Sequence, residues 1–425
     1  MKAFIEVFCM ELRALWRSRS FLLLLVASLA YVSFVPSLVH GDGTLLGTRE
    51  LTIAYSLGGV FAIVVLALVS SATASLAKER EAKRLQLTAI RPIRYSLIVL
   101  GKLSALVFTG ALTLALSMAL MSLRVDTNVN CRRVLRPVLP SVQEEAEAMY
   151  QSYLSDPETP PEVKKSPKST VLRILEGRAL DHYQTIPTNS PVTWRFQIPI
   201  QSTNSQSDNR LIGQSVNSYI RLRFTNPMEM RQEVRGCFRS AGHTLTLTNM
   251  TQTVLEVPFP AVDGELEFTN LGISALMLRP RRDVELLLPA GSFYGNLFRA
   301  WALQIAVLTL ILAFTLFLAS ALGRPVALFT AISMLILGLI SPSVVEQYPD
   351  ELHATFADRV GLAMSRAASA VTRPISAYSP VTSLSKDELI ESSDLTGAIA
   401  IDFIAVPLIL ILLSSLILPR KQDGL

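Results

Sequence analysis

Charge is scarce in this sequence: of 425 residues only 17% are Asp, Glu, Lys or Arg, while half are apolar. A soluble globular chain carries about 25% charged residues. This chain lacks the polar surface to cover itself with water, which points to a membrane protein. Cysteine is scarcer still, with 3 residues, and this excludes a disulfide scaffold. With 20 Gly and 23 Pro the chain is neither collagen-like nor low-complexity. Catalytic signatures are missing too. The four histidines, His40, His182, His243 and His353, include no i, i+4 pair of the kind that holds zinc on a helix. No GxxxxGKS/T phosphate loop occurs, so any ATP used must be bound by another chain. The run Gly213-Gln214-Ser215-Val216-Asn217 ends in Asn and does not read as a nucleophile elbow.

What is present is a set of charge-free apolar stretches. A lipid-facing charge costs several kcal/mol and about 20 apolar residues cross a bilayer. Six stretches qualify, at 20–41, 51–77, 103–123, 300–323, 325–345 and 403–419. The last must extend outward past Asp402 to reach full length. The first is longer than a signal-peptide core and lacks a small-x-small cleavage site, so it reads as a retained span.

Basic residues resist translocation and so orient the spans. Lys2, Arg13, Arg17 and Arg19 precede the first span, and Lys78, Arg80, Lys83, Arg84, Arg91, Arg94 and Lys102 lie between the second and third. Arg324, Arg420 and Lys421 fall on the same side, which carries only Glu6, Glu11, Glu79, Glu81 and Asp423 as acids. That side is expected to be cytoplasmic, with both termini on it.

The segment 124–298 is then expected outside, between the third and fourth spans, and it is long enough to bury its own core. Ser141 with Glu144 makes a capping box before a helix running to Leu154, and a second helix begins near Ser169, giving a helical connector at 141–186. From 191 to 289 the period changes to two. Strands are expected at 192–200, 218–224, 233–239, 244–247, 253–258, 265–269 and 283–288, as in an antiparallel β-sandwich. In Ser218 to Phe224, for example, Ile220, Leu222 and Phe224 face one way and Tyr219, Arg221 and Arg223 the other. The fold class expected is a polytopic α-helical membrane protein with six spans plus this extracytoplasmic β-rich domain. The domains are 1–123, 124–298 and 299–425, the last with an external loop at 346–395.

Several residues invite two readings. Cys131 and Cys237 both lie in the outer domain and could form a disulfide if their Cα atoms come within about 7 Å, or could remain as two small residues. Asp402 is the one acid inside an expected span, hence a pathway residue or an interfacial carboxylate near the outer end. Trp194 with Arg195, and Arg279, Arg281 and Arg282, could bind an envelope ligand, or be a core tryptophan and a solvated loop. The amino-terminal arm sets Phe4, Ile5, Phe8, Leu12 and Trp16 against Glu6, Glu11 and Arg13, an interfacial helix pattern suited to membrane lipids.

The most informative segment is the connection 75–107, in which a dense charge cluster is followed by a short apolar patch, a stop at Pro92 and re-entry through Gly101 and Lys102. On physics alone it is a solvated hairpin tip. Its residues, however, resemble the permease subunits of type 2 ATP-binding-cassette exporters. That family reads E-x-E, then small-Gly-Thr-Leu-Glu-Leu-Leu-x-x-x-Pro, then Gly-Lys opening the third span. Glu79, Glu81, Leu85, Leu87, Pro92, Gly101 and Lys102 fall on those positions without a gap, with Lys83 and Arg84 replacing Gly-Thr. The resemblance implies that 78–92 is a coupling helix presenting Glu79, Arg80, Glu81, Lys83, Arg84, Leu85, Leu87 and Pro92 to an ATPase. It further implies a transport subunit of the plasma (inner) membrane, similar to bacterial members with a large external domain. Such a subunit binds no cofactor itself, pairs with a second permease copy or a related permease, and works with separate nucleotide-binding ATPase subunits that carry ATP and Mg. Nucleic acid is not expected as a partner. The competing reading is a membrane-anchored binding or sensory module whose β-domain recognises an envelope ligand without transport.

Overall fold

The computed structural model describes residues 2–38, 45–81, 94–127, 130–138, 142–155, 168–197, 218–224, 232–240, 243–251, 254–258, 264–278, 283–347, 360–361, 363 and 380–420. In chain order the elements are α1 (Lys2–Arg17), α2 (Arg19–Leu38), α3 (Leu45–Glu81), α4 (Tyr95–Ser122), β1 (Asn130–Leu135), β2 (Pro137–Val138), α5 (Val142–Ser155), α6 (Lys168–Gln184), β3 (Thr185–Ile186), β4 (Pro191–Phe196), β5 (Tyr219–Arg223), β6 (Glu233–Ser240), β7 (His243–Met250), β8 (Val254–Pro258), β9 (Glu265–Asn270), β10 (Leu276–Met277) and β11 (Val284–Ser292). There follow α7 (Phe293–Ala321), α8 (Arg324–Gln347), α9 (Pro380–Ser385), α10 (Ser392–Ala398), a π-helical turn (Ile399–Ala405) and α11 (Val406–Arg420). Two units result, a helical one of Met1–Asn130 with Gly291–Leu425, and a second of Cys131–Ala290.

Four helical stretches among the described residues are long and apolar enough to cross a membrane: Gly47–Leu76, Tyr95–Ser122, Phe293–Ala321 and Ser392–Leu418. The pair α1 and α2, bent by 67° at their junction, makes a fifth if counted as one span. The expected span at 325–345 falls in α8, whose described apolar part is Arg324–Ile336. The last span begins at Ser392, earlier than the sequence pattern suggested, because α10, the π-turn and α11 run on as one rod. Within this unit α7 is the central helix. It packs against α3, α4, α8 and α11, and 78% of its apolar window is buried, against 28% for the last span. Gly110 permits one of these approaches, since a Cβ there would lie 2.5 Å from Leu308 Cδ2 and 2.8 Å from Leu68 Cδ1.

The second unit is a β-sandwich. One sheet has the order β1-β11-β5-β8, the other β2-β4-β9-β6-β7, and β10 pairs with β3 apart from both. Period-two alternation supplies the core: Trp194, Phe196, Ile220, Leu222, Phe224, Phe238, Leu266, Phe268 and Leu286 are all buried in one cluster. The seven strands expected from alternation are all present. The first of them stops at Phe196, short of the expected 200. Strands β1 and β2 were not expected, because Asn130-Cys131-Arg132-Arg133 shows no alternation. Since they precede α5 and α6, the helices are an insertion between strands of the sandwich and not a connector ahead of it. Cys131 lies on β1 and Cys237 on β6, in opposite sheets, and no disulfide joins them.

On β5, Arg221 bonds Glu256 of β8 at 2.8 Å and Glu285 of β11 at 3.1 Å, and Arg132 bonds the second oxygen of Glu256 at 2.8 Å. Burial alone would raise the Glu256 pKa, but Arg221 and Arg132 together outweigh it and hold the carboxyl below its ordinary value of 4.5. A carboxyl depressed in the folded state stabilises the fold above its unfolded pKa and loses that contribution as pH falls through the folded value. Hydrogen-exchange protection of β5 and β8 should therefore decline with acidification below about pH 4.5. Glu256→Gln should be less protected at neutral pH and should flatten that decline; an unchanged acid profile in the variant would show that the pair contributes nothing.

Candidate functional site

The functional candidates of the helical unit lie in three polar nodes set into its apolar packing. The first joins α1, α3 and α4. Gly101 on α4 has no side chain, and a Cβ there would stand 2.8 Å from Val7 Cγ1 and 3.4 Å from the Phe8 amide nitrogen, so α1 rests on the α4 backbone. Next to it Lys102 is fully buried. Its ammonium donates to Glu11 Oε2 at 2.9 Å and to Ser75 Oγ at 2.8 Å. The stripe of α1 that packs inward is Val7, Glu11 and Leu15, while Ile5 and Trp16, of the side expected to face lipid, are about half exposed. The inward stripe carries a carboxylate because Lys102 meets it there. Lys102 is not the headgroup anchor that a count of basic residues makes it, since an ammonium with no exposure is held by its partners and not by water.

The second node lies at the opposite end of α3, about 39 Å from Ser75 at 1.5 Å per residue. Arg49 forms an ion pair with Asp387, donates to the Asp126 carbonyl at 3.1 Å, and lies 5.3 Å from the centre of the Phe293 ring. Asp387 holds a left-handed backbone, φ 58°, that turns the chain after α9. Asn296 of α7 then receives the following segment, donating to the Glu388 carbonyl at 2.8 Å and accepting from the Ile390 amide at 2.9 Å. Arg299 adds a bond to the Ile390 carbonyl at 3.0 Å. These contacts clamp 387–390 onto α3 and α7 and aim the last span. Of the expected external loop, 348–359, 362 and 364–379 lie outside the described residues.

The third node is Asp402. It sits in the π-turn, ten residues and about 15 Å into the last span, and is 1% exposed. Neither carboxylate oxygen has a hydrogen-bond partner among the described residues. An interfacial, water-reached carboxylate does not fit that burial. The sequence signal passed over is Pro407. Proline lacks the N–H of a helical turn and its ring crowds the carbonyl four residues back, which favours a widened turn just before it.

Of the expected ATPase-contact residues, Glu79, Arg80 and Glu81 belong to the last turn of α3. Lys83, Arg84, Leu85, Leu87 and Pro92 lie outside the described residues. In the sandwich Trp194 is a core residue, 2% exposed and stacked on Phe268, so it offers no face to a ligand. Arg195 pairs with Glu265 at 3.0 Å on the exposed surface. Arg279, Arg281 and Arg282 are outside the described residues. Sequence reasoning singled out Lys102 and Asp402 but missed Glu11, Ser75, Arg49 and Asp387 as partners, since pairings across 27 to 338 residues leave no local pattern. No group of three or more His, Cys, Asp or Glu able to hold a metal occurs among the described residues.

Compared with protein-family models, with curated proteins and with solved structures, the chain matches none.

Proposed function

We propose that this chain is the membrane subunit of an ATP-driven exporter of the type 2 ATP-binding-cassette class, working with separate ATPase chains that bind ATP and Mg and with a second permease copy or a relative. In this reading it resides in the plasma (inner) membrane with both termini cytoplasmic, and the β-sandwich stands outside between spans three and four. The observation that carries the reading is the junction at Gly101 and Lys102. These two positions belong to the motif resemblance, and they bind the amino-terminal arm to the helices on either side of the 78–92 connection. A force applied to 78–92 would reach α3 through Ser75, α4 through Lys102 and α1 through Glu11, which is the mechanical continuity that coupling requires.

The test is charge reversal in the connection. Glu79→Lys with Glu81→Lys and Leu85→Asp should leave folding and insertion intact, since exposed substitutions change stability by less than about 0.5 kcal/mol. Co-purification with the partner ATPase, or substrate-stimulated hydrolysis, should be lost. If both survive the triple substitution, 78–92 is not the coupling element and the connection reverts to a solvated hairpin tip.

A further inference from the structure

We propose that Asp402 is a proton-binding site inside the helical unit, a carboxyl that carries its proton in this packed arrangement and exchanges it only when the last span admits water. The buried stripe of that span is Ala398, Asp402, Pro407, Ile411, Ser414 and Leu418, with steps of four, five, four, three and four residues. The single five-residue step runs from Asp402 to Pro407 and coincides with the π-turn. The widened turn therefore keeps the carboxyl on the interior stripe, while Ile399, Ile401, Phe403 and Ile404 around it are exposed.

A structural aspartate in a helix ordinarily caps an N-terminus or pairs with a cation. Among the described residues Asp402 does neither. The elements packed against its turn are α7, α10 and α11. Their charged or titratable side chains are Tyr294 and Arg299 on α7, Asp394 on α10 and Arg420 at the end of α11. Tyr294 bonds Thr127, Arg299 bonds the Ile390 carbonyl, and Asp394 lies eight residues back on the exposed side. The side chain of Arg420 is outside the described residues, eighteen positions further along the rod. The other polar side chains of these helices show how a buried group is satisfied here: Thr309, Thr315 and Ser414 each donate to the carbonyl four residues back. An ionised carboxylate has no donor and cannot do this, whereas a protonated one can. It supplies an O–H in the turn where Pro407 withdraws an N–H. A second unpartnered group lies on α7, where both amide atoms of the buried Gln304 lack partners among the described residues.

The step is proton transfer alone: an O–H bond forms on the carboxylate as an O–H bond of a hydronium ion breaks and leaves water, and release reverses both. It does not rest on the transport reading, because it needs no ATPase. The test uses the full chain in lipid nanodiscs without any partner and reads the infrared C=O stretch of protonated carboxylic acids. At neutral pH the wild type should show such a band, shifted in heavy water and by carboxyl-labelled aspartate, and absent from Asp402→Asn. Asp402→Glu should retain the band at a moved frequency. Superimposable wild-type and Asp402→Asn spectra would overturn the proposal. If Asp402→Asn does not fold, a wild-type band that fails to move on aspartate labelling overturns it equally.

Discussion

Replacing Lys102 by methionine should destabilise the helical unit by about 3–5 kcal/mol, the cost of stripping one partner from a buried ion pair. The methionine stem fills much of the lysine's volume, so the loss comes from Glu11. That carboxylate is 6% exposed and would be left with neither the ammonium nor enough water. Ser75 would lose its donor from Lys102 at the same time. Lys102→Met combined with Glu11→Leu should recover much of the loss, because an apolar pair has no charge to desolvate. The measurement is a double-substitution cycle on the thermal unfolding of the chain in nanodiscs, with proteolysis of α1 as a local readout. Either single substitution, Lys102→Met or Glu11→Leu, should release the arm, and the double substitution should not. A Lys102→Met protein that melts with the wild type would show that water, and not the lysine, satisfies Glu11.

Phe268→Ala should cost the β-sandwich about 3–5 kcal/mol, as large-to-small changes at fully buried aromatics do. Its ring centre lies 5.9 Å from Trp194, 5.1 Å from Phe224 and 4.7 Å from Phe238, so three aromatic contacts are lost together. The converse error is expected at Gly236, where an added Cβ would stand 2.1 Å from Phe268 Cε2 and 2.6 Å from Cζ. Gly236→Ala should cost about 1–3 kcal/mol by overpacking. Because methyl and ring compete for one space, Gly236→Ala should be milder in a Phe268→Leu background than in the wild type. Hydrogen exchange of the β6 and β9 amides reads both effects. Strict additivity of the two substitutions would mean that ring and glycine do not share that space.

The strands were legible because their signal is local. In β5 the alternation of Ile220 and Leu222 with Tyr219 and Arg221 depends only on which face meets the core, and the pleat enforces it residue by residue. Strands β1 and β2 were not, because Asn130–Leu135 carries no period-two alternation and Pro137–Val138 is too short to show one. Helix α1 shows the same divide. Its existence follows from spacing, but its inward stripe is Val7, Glu11 and Leu15, chosen by the contact with Gly101 and Lys102. A pattern of apolar residues alone selects a different face.

By itself the sequence determined that the chain has helices long and apolar enough to cross a membrane and a β-rich domain. Burying a charge or exposing an apolar face is costly at every position separately, so composition and period register it. It also determined which residues are anomalous: a lysine just past Gly101 at the head of an apolar run, and a carboxylate inside the last one. Only the tertiary structure decided what becomes of them. Lys102 finds Glu11 and Ser75 on two other helices, and Asp402 finds no partner among the described residues. The state of a buried charge depends on the few ångströms around it, supplied by residues far away in the chain, and no local pattern carries that information.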